Sequence, residues 1–232
     1  MKVVILAAGK GVRMLPLTEK VPKVLVEING RPFLYYVLKN LQKAGYTDFG
    51  IVVGYKKEQI ESFLKEYNFK ATLIEQKEQL GTGHAVLCAE SFVGDEDFVV
   101  IGGDNLWGAE DLKAINNNDN YNYISGMVVE APEHYGVLIE ENGFLKGIKE
   151  KPKEFHGFLI NTGKYKFKPE IFSILKSVCA SPRGEIELTC AIDVLAKTNQ
   201  MKVIKIKSFW KDLGSIKDIE PLSYFLKETW HE

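Results

Sequence analysis

The chain has 232 residues, of which 45% are apolar and 26% charged, and its net charge is −1. That length suits one large domain, or one domain with a small lobe. The balanced charge lacks the basic footprint that duplex nucleic acid needs, and no run of 18 apolar residues is present to span a membrane.

Val3-Val4-Ile5-Leu6 is a β-branched apolar run, which predicts a strand buried on both faces. Ala7 to Val12 is small and Gly-rich, hence a loop. Val24 to Ile28 reads as extended and closes at the turn Asn29-Gly30. From Pro32, the residues Phe33, Leu34, Val37, Leu38 and Leu41 share one helical face, and Gly45 ends that helix. Phe49 to Val53 is a further buried strand, and Ile60, Phe63, Leu64 and Tyr67 mark a second amphipathic helix. Ala71 to Ile74 predicts a strand, Thr82 to Ser91 a helix, and Phe98 to Ile101 another strand that runs into Gly102-Gly103-Asp104. The repeat of strand, loop and helix predicts a parallel sheet with helices on both faces, whose ligands bind outside the carboxyl ends of the strands.

The second half changes character. A polar stretch, Asn116 to Asn122, reads as a surface loop. Tyr123 to Glu130, Tyr135 to Glu140, Phe144 to Lys149 and Phe158 to Phe167 read as strands, with a turn at Asn142-Gly143. Helices follow at Pro169 to Ser177 and Glu185 to Lys197, then a strand at Met201 to Lys207 and a last helix at Ile216 to Lys227. This half extends the sheet and adds a β-rich lobe over the site. One domain, 1–232, is expected, with a half of about 1–120 and a half of about 121–232.

Three segments carry chemistry. The first is Leu6-Ala7-Ala8-Gly9-Lys10-Gly11-Val12-Arg13, with Pro22-Lys23 close behind. A small-residue loop after a buried strand lets backbone N–H groups approach an anion, and Arg13 and Lys23 add fixed positive charge for a polyphosphate. The Gly-Lys-Ser/Thr ending of a P-loop is absent, and Met14 stands where a dinucleotide-binding loop needs its third Gly. The only arginines are Arg13, Arg31 and Arg183, so each marks a place where a forked donor matters. The second segment is Glu75 to Ala85, which contains Gln76 and Leu80-Gly81-Thr82-Gly83-His84. The third is Asp104 at a strand end, where an unpaired carboxylate is costly unless it binds a partner or a metal. Cys88, Cys179 and Cys190 are widely spaced and form no metal pattern, which suits small buried residues in a reducing cytosol.

At these segments the chain resembles the sugar-1-phosphate nucleotidylyltransferases. Their signature runs Leu-Ala-Ala-Gly-x-Gly-Ser/Thr-Arg-x-x-Pro-x-Thr and then Pro-Lys. Val12 departs from it, removing one hydroxyl near the phosphates. Later motifs follow in the family's order: Tyr135-Gly136, Glu150-Lys151-Pro152, Asn161-Thr162-Gly163 and Trp210-Lys211-Asp212-Leu213-Gly214. Arg183-Gly184-Glu185 to Cys190 resembles Gly-Glu-x-x-x-Thr-Asp, with Cys190 in place of the Asp and Glu185 as a candidate helix cap.

The resemblance implies a Rossmann-like, mostly parallel α/β sheet of the nucleotide-diphospho-sugar transferase type, with a small β-rich sugar-binding lobe. It puts Leu6, Ala7, Ala8, Gly9, Gly11, Arg13, Lys23, Gln76, Gly81 and Thr82 on the nucleotide. Gln76 would read the base, since an amide can pair with the imide edge of uracil or thymine. Gly136, Glu150, Lys151 and Asn161 would meet the sugar. Asp104 and Asp212 would hold Mg²⁺, although Asp212 could instead cap a helix near Ser215. Arg13, Lys23 and Lys151 would be catalytic, and His84 would pack at a helix start. The reaction implied joins a nucleoside triphosphate, UTP or dTTP, to a sugar 1-phosphate of the glucose or N-acetylglucosamine kind, in the cytoplasm. Rival readings are transfer to phosphocholine or an inositol phosphate, and a binding module without turnover. The 232 residues hold none of the hexapeptide repeats that many relatives carry as a left-handed β-helix, so trimerisation and acetyl transfer by that route are not expected.

Overall fold

The computed structural model describes residues 1–181 and 184–230. In chain order, its first half contains β1 (Lys2–Leu6), β2 (Glu27–Ile28), β3 (Arg31–Pro32), α1 (Phe33–Lys43), β4 (Phe49–Val53), α2 (Lys57–Glu66), β5 (Thr72–Glu75), α3 (Thr82–Cys88), α4 (Glu90–Val93), β6 (Phe98–Gly102), β7 (Asn105–Trp107) and α5 (Ala109–Ala114). The second half contains β8 (Asn122–Val128), β9 (Gly136–Glu141), β10 (Phe144–Glu150), β11 (Leu159–Phe167), α6 (Ile171–Ser177), α7 (Leu188–Lys197), β12 (Met201–Lys205), β13 (Trp210–Asp212) and α8 (Ile219–Thr229).

Nine strands form one sheet in the order β5-β4-β1-β6-β11-β8-β12-β10-β9. The first four are parallel, as the strand-helix alternation predicts. The second half makes the sheet mixed: β11 runs antiparallel to both β6 and β8, β12 is parallel to β8, and β9 and β10 form a hairpin at the far edge. Alternation along β1 divides the core. Val3 and Ile5 face one layer with residues of α1, α2 and α8, and Val4 faces the other with residues of α3, α6 and α7.

Several boundaries differ from the sequence reading. Val24 to Ile28 is not one extended segment: Lys23–Leu25 is a 3-10 turn, and only Glu27–Ile28 pairs, with Arg31–Pro32. The helix expected over Thr82 to Ser91 is two, because α3 closes at Cys88 and Ala89 joins it to the single turn of α4. The polar stretch ends early, since Asn122 is buried and opens β8. Glu185 does not begin α7, which starts at Leu188, so it is not that helix's cap. The short helix α5 and the ribbon of β7 with β13 went unread; three-residue strands are too short for periodicity to show.

The chain moves outward from β1 to β4 and β5, then returns to the other side of β1 as β6. That reversal opens a crevice at the carboxyl ends of β1 and β6. Leu6 pairs with Gly102 there, and the Gly103 N–H donates to the Leu6 carbonyl at 2.9 Å. The Ala7 loop and Asp104 therefore leave the sheet side by side.

Candidate active site

The crevice is a cavity of about 540 Å³. Leu6, Ala7, Ala8, Gly9, Gly11, Arg13, Lys23, Gln76, Gly81, Thr82 and Asp104 all line it, so the residues expected on the nucleotide converge on one wall. The loop's shape has local causes. Gly11 has φ +64°, and a Cβ there would lie 2.9 Å from both Lys23 Cβ and Thr18 Cγ2. Buried Thr18 fastens the loop by donating its Oγ1 hydrogen to the Gly11 carbonyl at 2.9 Å. Gln79 holds the other side, its Nε2 donating to the Ala8 carbonyl at 2.7 Å. Val12 is exposed, and Arg13 opens onto the cavity beside it.

Lys23 Nζ sits 2.6 Å from Asp104 Oδ2. The other oxygen, Oδ1, accepts from Asn105 Nδ2 at 2.8 Å. Asn105 is in turn oriented by Trp210, whose indole N–H donates to Asn105 Oδ1 at 2.7 Å. An indole nitrogen only donates, which fixes the amide's direction. The ribbon of β7 with β13 then supplies the second carboxylate: Asp212 pairs with Asn105, and the Leu213 N–H donates to the Asp104 carbonyl at 2.8 Å. Thus two aspartates 108 positions apart in sequence stand together. Asp212 is not a helix cap. That duty belongs to Ser215, which forms a capping box with Asp218. Burial pushes the Asp212 carboxyl up to about 6, and the Asp104 charge adds to the rise against Lys23.

A buried carboxylate whose proton affinity is raised with a second carboxylate beside it favours a hard cation there, and oxygen donors of this kind fit Mg²⁺. Among the described residues, no group of three His, Cys, Asp or Glu side chains converges as a metal site. Two carboxylates with the remaining positions left to phosphate oxygens and water is the usual Mg²⁺ arrangement.

Gly136, Glu150, Lys151 and Asn161 do not line this cavity. Gly136, Glu150 and Asn161 meet one another instead. Gly136 pairs with Glu150 across β9 and β10, and a Cβ on Gly136 would lie 2.9 Å from Glu150 Oε2 and 3.9 Å from Asn161 Cβ. Asn161 is braced at both ends: its Nδ2 donates to Tyr165 Oη at 2.8 Å and its Oδ1 accepts from the Gly163 N–H at 2.9 Å. One N–H and one lone pair of that amide remain for a ligand. Lys151 follows β10 at φ +40°, with its N–H donating to the Tyr135 carbonyl at 3.0 Å. The two clusters are joined by Tyr135, whose ring packs edge-on against Trp210 at 5.6 Å. Burial, followed by the nearby Asp212 charge, raises the Tyr135 phenol's proton affinity.

The second segment closes over the first. Gly83 N–H donates to the Ile186 carbonyl at 2.8 Å, Ile186 N–H to Leu80 at 2.7 Å, and Leu188 N–H to Thr82 Oγ1 at 3.1 Å. This clamp brings Glu185 and Glu187 onto the cavity wall, which the sequence reading did not foresee. Gln79 and Asn105 were missed too. Their one signal is adjacency to motif residues; their roles depend on partners distant in sequence. Of the three arginines, Arg13 is at the site, Arg31 stacks on Tyr35 at 4.6 Å, and Arg183 lies outside the described residues.

The nucleotidyl transferase family model matches residues 2–229. The chain is 40% identical over 220 residues to the bifunctional protein GlmU of Methanococcus aeolicus, covering 94% of this chain and 53% of that protein. It is 34% identical over 228 residues to the low-salt glycan biosynthesis nucleotidyltransferase Agl11 of Haloferax volcanii, covering 94% of this chain and 64% of that one. The chain thus spans about half the length of the first of these relatives. A Bacillus anthracis structure assigned as a glucose-1-phosphate thymidylyltransferase superposes with a TM-score of 0.89 at 28% identity, covering 100% of this chain and 97% of that one. A UDP-glucose pyrophosphorylase complexed with UDP-glucose gives 0.86 at 27% identity, with 98% of both chains covered. The chain belongs to the nucleotidyl transferase family.

Proposed function

We propose that this protein transfers a nucleotidyl group from a nucleoside triphosphate, UTP or dTTP, to a sugar 1-phosphate, releasing pyrophosphate and an NDP-sugar. The supporting observation is the pairing of two clusters: a Gly-rich loop with Arg13, Lys23 and Asp104 on one side, and Glu150, Lys151 and Asn161 on the other, joined through Tyr135 and Trp210. Relatives named for the same chemistry support the reading, as does a related structure holding UDP-glucose. Glucose 1-phosphate and N-acetylglucosamine 1-phosphate are the first sugars to test. The nucleotide is assigned to the half of about 1–120 and the sugar phosphate to the half of about 121–232.

The chemistry is in-line displacement. An oxygen of the sugar phosphate attacks the α-phosphorus, and the bond to pyrophosphate breaks. Lys151 holds the attacking phosphate against charge repulsion. Arg13 and Lys23 hold the triphosphate and neutralise the leaving pyrophosphate. Catalysis is then chiefly positioning and charge stabilisation. Asp104 and Asp212 would hold Mg²⁺, which when bound supplies positive charge to phosphate oxygens. Lys23 has two N–H groups beyond the one in its 2.6 Å ion pair with Asp104, and these are what it offers a phosphate. The setting is taken to be cytosolic.

The test is pyrophosphate release with Mg²⁺, across UTP, dTTP, CTP, ATP and GTP against a panel of sugar 1-phosphates. Release that requires one triphosphate and one sugar phosphate is the expected outcome. Nucleotide binding with no release from any pair would overturn it in favour of a non-sugar acceptor or a binding module.

A further inference from the structure

We propose that His84 is a positioning residue for base selection: its Nδ1 locks the Gln76 amide so that only an acceptor oxygen faces the nucleotide. The inference rests on the reading that Gln76 meets the base, and deepens it. Gln76 is 5% exposed and lies on the cavity wall just after β5. Its Nε2 is 3.1 Å from the Gly81 carbonyl, which can only accept. Turning the amide round would set two acceptor oxygens face to face, so the NH₂ end is fixed there. The same Nε2 is 3.0 Å from His84 Nδ1. With one N–H on Gly81, the second goes to His84, which requires a neutral imidazole bare at Nδ1 and protonated at Nε2. Both donors of the Gln76 amide are then consumed, and Oε1 is what remains for a ligand.

An acceptor suits a base with a ring N–H. Uracil and thymine offer N3–H, whereas cytosine presents a lone pair at N3 and is repelled. With its second N–H free, the amide would lack this bias, because that N–H could meet the lone pair at cytosine N3. His84 is held for this task by its helix: α3 is clamped to the chain at Ile186 and Leu188 by the Gly83 and Thr82 bonds. His84 is therefore neither a catalyst nor only a packing group.

Calorimetric titration with UTP and with CTP, each with Mg²⁺, tests this on wild type, His84→Leu, His84→Asn and Gln76→Ala. Wild type should prefer UTP. His84→Leu should weaken UTP binding about tenfold, the worth of one hydrogen bond, and narrow the preference over CTP. His84→Asn should stay close to wild type, since its Oδ1 stands where Nδ1 stands. Unchanged UTP affinity in His84→Leu, or equal weakening in both His84 variants, overturns the inference. Gln76→Ala separates the two levels: an unaltered preference there would remove the base reading itself. The imidazole ¹⁵N spectrum of wild type needs no substitution. A neutral ring bare at Nδ1 is expected, and a proton on Nδ1 would overturn the proposal.

Discussion

The two halves of the molecule place their chemistry by different means. In the first, β1, β4 and β6 are apolar and almost wholly buried, and most of the candidate site residues stand beyond the strand ends. In the second, most of the candidate site residues sit on the strands themselves: Gly136 opens β9, Glu150 closes β10, and Asn161 lies inside β11. The first arrangement separates site from core, so a loop side chain can change without disturbing packing. The second makes each site residue a neighbour of core residues in the same strand. β11 carries this furthest, with Lys164 and Lys166 buried two and four positions after Thr162.

The largest effect should come from the strand-end carboxylate. Asp104→Ala is expected to lower turnover by ~10²–10³ while leaving the melting curve near wild type. Full pyrophosphate release in that variant would remove Asp104 from the mechanism. A large fall in melting temperature would show instead that the first half does not separate site from core. Lys151→Met comes next and tests whether the halves act separately. Losing a charge-assisted contact should lower kcat/KM for the sugar phosphate about 10- to 100-fold. UTP affinity, read by titration, should not move. A matching loss of UTP binding would mean that the two clusters form one subsite.

The same contrast explains what was legible in the sequence. Val3 to Leu6 and Phe98 to Ile101 announce themselves because buried parallel strands are apolar without interruption, and the loops after them stand out by composition. Every nucleotide residue named from the motif lines the cavity. The sugar-side cluster was named by resemblance, and its assembly was not readable, because strand register decides it: the pairings of Gly136 with Glu150 and of Val137 with Ile160 bring those residues beside Asn161. Asp212 is similar, since the β7–β13 ribbon that delivers it is three residues long on each strand. The direction of the Asn105 amide is a further step removed. It depends on Trp210, 105 positions later. The buried lysines of β11 were invisible, because Gly163-Lys164-Tyr165-Lys166 alternates like a half-exposed strand.

Those lysines give the sharpest test. Lys164 is 1% exposed and donates to the Asp111 carbonyl at 2.6 Å. Asp111 is itself held by the Lys207 and Ser208 N–H groups at 2.8 and 2.9 Å. Burial pushes the Lys164 ammonium down to about 8 from 10.5, with the Asp111 charge opposing. The folded protein therefore releases this proton before the unfolded chain does. Between pH 8 and 10.5 the unfolded state binds more protons, so stability contributed by this group rises with pH across that window. The full span corresponds to roughly 3 kcal/mol, from about 1.4 kcal/mol per unit. Lys164→Met removes the titration and keeps most of the side-chain volume. Urea unfolding of both proteins from pH 7 to 10.5 should show wild type gaining on the variant by up to that amount, all of it above about pH 8. A difference that stays flat with pH would mean that Lys164 keeps its charge at no cost. The contrast between an apolar first half and a charge-burdened second half would then be one of composition alone.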